Sequence, residues 1–179
     1  MQFGSAHSRL LLLPASYRFI LFSLLLALIW NLAPWSGVGL MLRPDFLALV
    51  LLYWGIHQPR KIGMGIAWLM GLVIDVANGS LLGQHALAYC LMMFAALLVH
   101  RRILMFPLWK QALHVVLLLL SLQLATLFLS LAAGGALNDW AYLLSSLSGA
   151  MLWPALSFIL QHPQRSSSRS ETPYPAGHK

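Results

Sequence analysis

The chain has 179 residues, 60% of them hydrophobic and only 8% charged, with eleven Lys and Arg against four Asp and Glu for a formal net charge of +7. A soluble domain carries roughly a quarter charged residues, so this composition cannot clothe a water-facing surface and makes lipid the solvent. The basic residues stand singly and in pairs between apolar runs, which excludes the continuous basic face of a nucleic-acid binder, and Cys90, the one cysteine, excludes an intramolecular disulfide.

A membrane-crossing helix needs about 20 mostly apolar residues, with a range of roughly 17 to 25. Six stretches qualify or come close. Residues 1–18 form an N-terminal segment in which Leu10 to Leu13, followed by Pro14, suit the inner interface. The first span covers 19–35; it is longer than a signal-peptide core and lacks an A-x-A cleavage pattern, so it reads as a retained anchor. The second covers 45–56 and is short unless residues from Val38 onward join it; the third, 62–77, ends at Asn78-Gly79-Ser80. The fourth covers 84–99, the fifth, 111–133, is the longest uninterrupted run, and the sixth covers 140–160. The remainder, 161–179, is rich in Ser and Pro and is expected to be a disordered tail. The expected fold is thus an all-α polytopic membrane domain of six transmembrane helices over 19–160.

Orientation follows from counting Lys and Arg on alternate sides. With the N-terminus cytoplasmic, Arg9, Arg18, Arg60, Lys61, Arg101, Arg102, Lys110, Arg165, Arg169 and Lys179 fall inside, which is ten of the eleven, and Arg43 alone falls outside. An odd number of spans breaks this pattern, so both termini are expected in the cytoplasm. Trp35, Trp54, Trp109 and Trp140 fall at span ends, as an aromatic belt requires. Asp45, Asp75 and Asp139 lie near outer span ends, and Glu171 lies in the tail.

Gly63, Ala67, Gly71 and Asp75 recur every four residues in the third span, a smooth helix face that ends in a carboxylate. Ala141, Ser145 and Gly149 repeat the idea in the sixth. Small residues let helix backbones approach closely in lipid, so each stripe marks either a contact inside this protein or a seat for a partner's helix. An intramembrane Asp is costly and faces protein or water. Asp75 is therefore expected to pair with Arg43, to cap N–H groups of the turn from Asn78 to Gly83, or to contact a ligand or partner. A proton relay requires a second acid or His at matching depth, and the sequence shows none. His57, His85, His100 and His114 lack the i, i+3 or i, i+4 spacing of a helical metal site, and no H-E-x-x-H is present. G-x-S-x-G, Walker and dinucleotide loops are missing too. No cofactor, metal or catalytic residue is expected. Gly79 and Gly83 form G-x-x-x-G in a predicted turn, where it serves tight backbone rather than helix dimerisation.

Pro44 suits the first turn of the second helix, where its missing N–H is harmless, and Pro59 breaks the chain beside Arg60-Lys61. Together, Arg43-Pro44-Asp45-Phe46, Leu52-Tyr53-Trp54, Pro59, Gly71-Leu72-Val73-Ile74-Asp75, Asn78-Gly79-Ser80 and Leu82-Gly83 resemble the MreD family of rod-shape-determining inner-membrane proteins, above all its proteobacterial branch. Leu108-Trp109-Lys110-Gln111-Ala112-Leu113 and Leu152-Trp153-Pro154 extend the resemblance across 43–160. It implies a non-catalytic scaffold of the elongation complex that directs lateral peptidoglycan synthesis. The implied partners are MreC first, then MreB, RodZ, and RodA with its penicillin-binding transpeptidase; anionic lipid joins them at the basic inner loops. The family is also similar in fold to the six-helix substrate-binding subunits of energy-coupling-factor transporters, which implies the alternative of a small-molecule or lipid binder. The first span departs from the A-x-x-x-A docking pattern of those subunits, since Asn31 stands four residues after Ala27. Arg43, Pro44, Asp45, Trp54, Pro59, Gly63, Ala67, Gly71, Asp75, Gly79 and Gly83 are the residues on which structure or partner contact is expected to depend.

Overall fold

Ser16 starts the first helix by accepting a hydrogen bond from the Phe19 amide on its hydroxyl at 3.3 Å, which satisfies one of the N–H groups a helix start leaves without a partner. From there the computed structural model describes residues 15–34, 43–134 and 144–166. The described chain is all helical: α1 (Tyr17–Leu32), α2 (Phe46–His57), α3 (Met64–Asn78), α4 (Gln84–Ile103), α5 (Leu108–Ala132) and α6 (Leu144–Ser166). Trp35, Asp139, Trp140, Ala141, the segment before Ala15 and residues 167–179 lie outside the described residues, as do 38–42, which were expected to lengthen the second span.

α4, α5 and α6 have the length and hydropathy of membrane spans, whereas α1, α2 and α3 are shorter apolar helices. At 1.5 Å per residue α2 is about 18 Å long against a hydrocarbon core of about 30 Å. Its surroundings resolve the shortfall. Every residue from Leu47 to Ile56 is buried, so α2 is apolar all round because protein, not lipid, surrounds it. α1, α4 and α6 pack against it, and α3, α4, α5 and α6 each pack on the next in the series.

This arrangement corrects the reading of Trp54. It is fully buried, not part of an interfacial belt: its indole N–H donates to Ser23 Oγ of α1 at 2.8 Å, and its ring meets Phe19 and Tyr53 edge-on. Trp109, by contrast, is 68% exposed, as a belt residue should be. Pro44 also moves. It precedes the cap rather than occupying the first turn, and Asp45 caps α2 by accepting from the Ala48 amide at 2.9 Å. Pro59 lies in the turn between α2 and α3, where Lys61 Nζ donates to the Ala15 carbonyl at 2.6 Å and ties that turn to the start of α1. α6 continues to Ser166, past the boundary expected at 160.

Candidate functional site

The hairpin of α3 and α4 builds one end of the bundle. Gly79, left-handed at φ 62°, terminates α3: its own N–H reaches the Val76 carbonyl at 3.4 Å, and the Ser80 N–H reaches the Asp75 carbonyl at 3.0 Å. That pair is the Schellman closure, which needs a residue without a Cβ penalty at the left-handed position. Gly83, at φ 97°, starts α4 and carries no side chain with which to cap it. Asp75 supplies the cap from the preceding helix. Its Oδ2 accepts from the N–H of Gly83 at 2.9 Å and of Ala86 at 3.3 Å, and its Oδ1 from the N–H of His85 at 2.9 Å. The Gln84 N–H goes to the Leu81 carbonyl at 3.0 Å. All four N–H groups at the start of α4 are therefore satisfied, and a buried carboxylate sits where the positive end of the helix dipole favours one.

Of the roles expected for Asp75, the structure realises the cap and not the pair with Arg43. Its side-chain partner on α4 is His85, whose Nδ1 lies 2.7 Å from Oδ1. A histidine at matching depth therefore does exist, contrary to the sequence reading. Asp75 and His85 are ten residues apart and share no helix face; only the folded hairpin brings them together. The Ser80 hydroxyl donates to Asp75 Oδ1 at 2.9 Å and lies 3.4 Å from the same His85 Nδ1. In a Ser-His-Asp relay the hydroxyl and the carboxylate occupy opposite ring nitrogens. Here both sit on one, so His85 cannot hold Asp75 and take the Ser80 proton through its far nitrogen.

Gly71 explains how α3 comes so close. A Cβ there would stand 2.3 Å from the Ala86 Cα and 2.5 Å from its N, a distance no side chain tolerates. Ala67, Gly71 and Asp75 are all buried against the rest of the protein, so this stripe is an internal contact. Gly63 departs from the pattern: it is the N-cap of α3, with open space where a side chain would go. In α6, Gly149 lies against Leu119, Leu49 and Pro44, and Ser145 accepts from Gln123 Nε2.

Above the hairpin is a cavity of about 410 Å³, within the range of ligand pockets. Asn31 of α1, Arg43-Pro44-Asp45 before α2, Ile74 and Asn78 of α3, Ser80, Gln84 and His85 of the hairpin, Thr126, Leu127 and Ser130 of α5 and Ser145 of α6 line it. Both oxygens of Asp45 are engaged, one by the Ala48 amide and the other by the Tyr89 hydroxyl at 2.7 Å. Arg43 makes no ion pair among the described residues. Asn31 is only 6% exposed, and its Oδ1 has no hydrogen-bond partner among the described residues.

Arg43, Pro44, Asp45, Asp75, Gly79 and Gly83 thus gather at one end of the bundle. Trp54, Pro59 and Gly63 lie away from them, and Ala67 and Gly71 form the α3–α4 seam. Sequence reasoning missed Gln84, Thr126 and Ser130, took Ser145 only as part of a small-residue stripe, Asn31 only as a departure from a docking pattern and His85 only as an isolated ring, and so placed none of them at this site. Their common signal was polarity inside apolar runs near the same predicted ends, which only the packing of five helices converts into one site.

Comparison with known proteins gives one consistent result. The family model described as rod shape-determining protein MreD matches residues 15–162. The rod shape-determining protein MreD of Haemophilus influenzae is 32% identical over 146 residues, covering 82% of this chain and 90% of that protein. No solved structure matches the chain.

Proposed function

The chain belongs to the MreD family of rod shape-determining membrane proteins, and from that premise we propose that it acts as a non-catalytic scaffold of the elongation complex, holding MreC and organising lateral peptidoglycan synthesis. One observation supports a scaffold over an enzyme. The most elaborate polar cluster among the described residues, Asp75 with Ser80 and His85, is committed to closing a helical hairpin, with hydroxyl and carboxylate on one histidine nitrogen. Such a cluster holds shape; it does not activate a nucleophile.

Because Ala67 and Gly71 are consumed by α4, MreC meets the lipid-facing helix surfaces rather than that stripe. MreB, RodZ, and RodA with its penicillin-binding transpeptidase are further members of the same assembly, reached directly or through MreC. Both termini lie in the cytoplasm and the cavity faces the opposite side of the inner membrane, in keeping with Arg18, Arg60, Lys61, Arg101, Arg102 and Lys110 at the helix ends and turn of the other side and Arg43 alone at the cavity end. The basic inner loops also attract anionic lipid, at about 1 kcal/mol per residue near the surface.

The test is affinity purification of the full chain with MreC in mild detergent. Recovery of a stoichiometric complex that survives size exclusion is the expected result. A folded, monodisperse protein that never retains MreC, under conditions where cells keep their rod shape, overturns the proposal.

A further inference from the structure

The cavity at the end of the bundle carries an inference that does not depend on scaffolding. A buried amide oxygen without a partner costs free energy, so a native protein normally satisfies it with protein, water or ligand. Among the described residues Asn31 Oδ1 is such an atom, on a side chain more than nine-tenths buried that lines the cavity. Arg43 supplies the one positive side chain of permanent charge in the lining, and its guanidinium matches the planar, paired oxygens of a phosphate or carboxylate. Asp45 beside it offsets part of this charge, but its oxygens are turned to the Ala48 amide and the Tyr89 hydroxyl and it makes no ion pair with Arg43 among the described residues, which leaves the guanidinium N–H groups to a ligand. Asn78 and Ser130 add side chains that both donate and accept, as hydroxyl and ester oxygens require. The described lining holds no Phe, Tyr or Trp; Pro44, Ile74 and Leu127 form its apolar wall, which suits the carbon skeleton of a polyol or a lipid glycerol while the polar groups hold its oxygens.

We propose that this cavity binds a phosphate-bearing polar group, with Arg43 on the phosphate and Asn31, Asn78 and Ser130 on neighbouring hydroxyl oxygens. The group is carried either by a lipid, as its headgroup, or by a free phosphorylated polyol. Asn31 Oδ1 is an acceptor and needs a donor, so the ligand carries at least one hydroxyl besides its phosphate.

Native mass spectrometry of the full-length protein, in a phosphate-free neutral detergent, tests this with defined probes. Phosphatidylglycerol tests the lipid source and glycerol 1-phosphate the free source; diacylglycerol, which lacks the phosphate, and phosphatidylcholine, which lacks the free hydroxyls, serve as controls. The expected result is one bound phosphatidylglycerol, or one glycerol 1-phosphate, held at least about tenfold more tightly than either control, since one well-placed charged contact is worth that ratio. Competition separates the sources: displacement of the lipid by glycerol 1-phosphate assigns a free ligand, and its failure assigns the headgroup. Arg43→Gln is expected to remove the preference for phosphate. Ser130→Leu, a partly exposed position that tolerates substitution, is expected to remove one lining hydroxyl, narrow the cavity and weaken binding at least about tenfold even if Arg43→Gln does not fold. Equal retention of diacylglycerol and phosphatidylglycerol, no binding of either phosphate probe, or unchanged binding in folded Ser130→Leu overturns the proposal.

Discussion

Replacing Asp75 with Ala removes the acceptor for five donors: the N–H groups of Gly83, His85 and Ala86, the Ser80 hydroxyl and the His85 ring. Hydrogen bonds to a charged acceptor contribute about 1.5 to 3 kcal/mol each, and a buried N–H left without a partner costs about 1 to 3 kcal/mol. These do not add. Gly83 and His85 are half-buried, so water can take over part of their loss, whereas Ala86 is fully buried and has no substitute. Counting Ala86 in full and the others in part gives a destabilisation on the order of 3 to 5 kcal/mol. For a chain of this size that corresponds to a fall of roughly 10 °C in the melting temperature. Asp75→Asn keeps the volume and one acceptor oxygen but turns an NH₂ toward N–H donors, so about half of that fall is expected. The assay is thermal unfolding of purified protein in detergent, followed by helicity, with hydrogen exchange read at the amides of residues 83–86. Exchange should rise there and stay unchanged along the α5–α6 interface. If Asp75→Ala melts within about 2 °C of the parent and its α4 amides remain protected, the carboxylate does not hold the hairpin and the reasoning is wrong.

Gly71→Ala places a methyl group 2.3 Å from the Ala86 Cα; backbone cannot yield locally, so α3 and α4 must separate, at a cost of about 1 to 3 kcal/mol or more in thermal stability. Gly63→Ala, where nothing lies within reach of the new Cβ, should be near neutral in the same measurement and is the control. Trp54→Phe retains most of the packing and removes only the indole donor to Ser23 Oγ, whose hydroxyl keeps its bond to the Ile20 carbonyl, costing about 1 kcal/mol, while Trp54→Ala opens a core cavity worth about 3 to 5 kcal/mol; equal, negligible effects would return Trp54 to the interface. Gly83→Ala forces a Cβ into a backbone at φ 97° and should lower stability by about 1 to 2 kcal/mol without any clash. For topology, a fluorescent protein fused after Lys179 should fluoresce and alkaline phosphatase at the same point should stay inactive; active phosphatase there would reverse the orientation.

The parts of this fold that sequence made legible are those set by local chemistry. Pro44 marked the start of the second helix to within two residues, although Asp45 and not Pro44 opens it, and Gly79 and Gly83 announced a turn, because helix starts and left-handed backbone depend on one or two residues. The Ala67-Gly71-Asp75 stripe announced a close seam, because four-residue spacing is a property of any helix. What stayed hidden depends on neighbours from elsewhere in the chain. α2 looked like a shortened membrane span because an apolar run is the same whether lipid or protein surrounds it. Trp54 looked like a belt residue for the same reason. His85 read as an isolated ring near a helix end, and its bond to Asp75 appears only when the intervening turn is closed. The cavity is the furthest from sequence: Asn31, Arg43, Gln84, Ser130 and Ser145 come from five separate segments and share no spacing.

Cell shape under controlled replacement tests the central claim most directly. In the native host, with the chromosomal copy depleted, membrane-inserted wild-type chain should keep cells rod-shaped with newly inserted peptidoglycan along the side wall. Asp75→Ala, which is predicted to open the scaffold, should yield rounded cells with dispersed insertion. Rod-shaped cells after complete depletion, or full rescue by an Asp75→Ala protein shown to have lost its α3–α4 hairpin, would contradict the account.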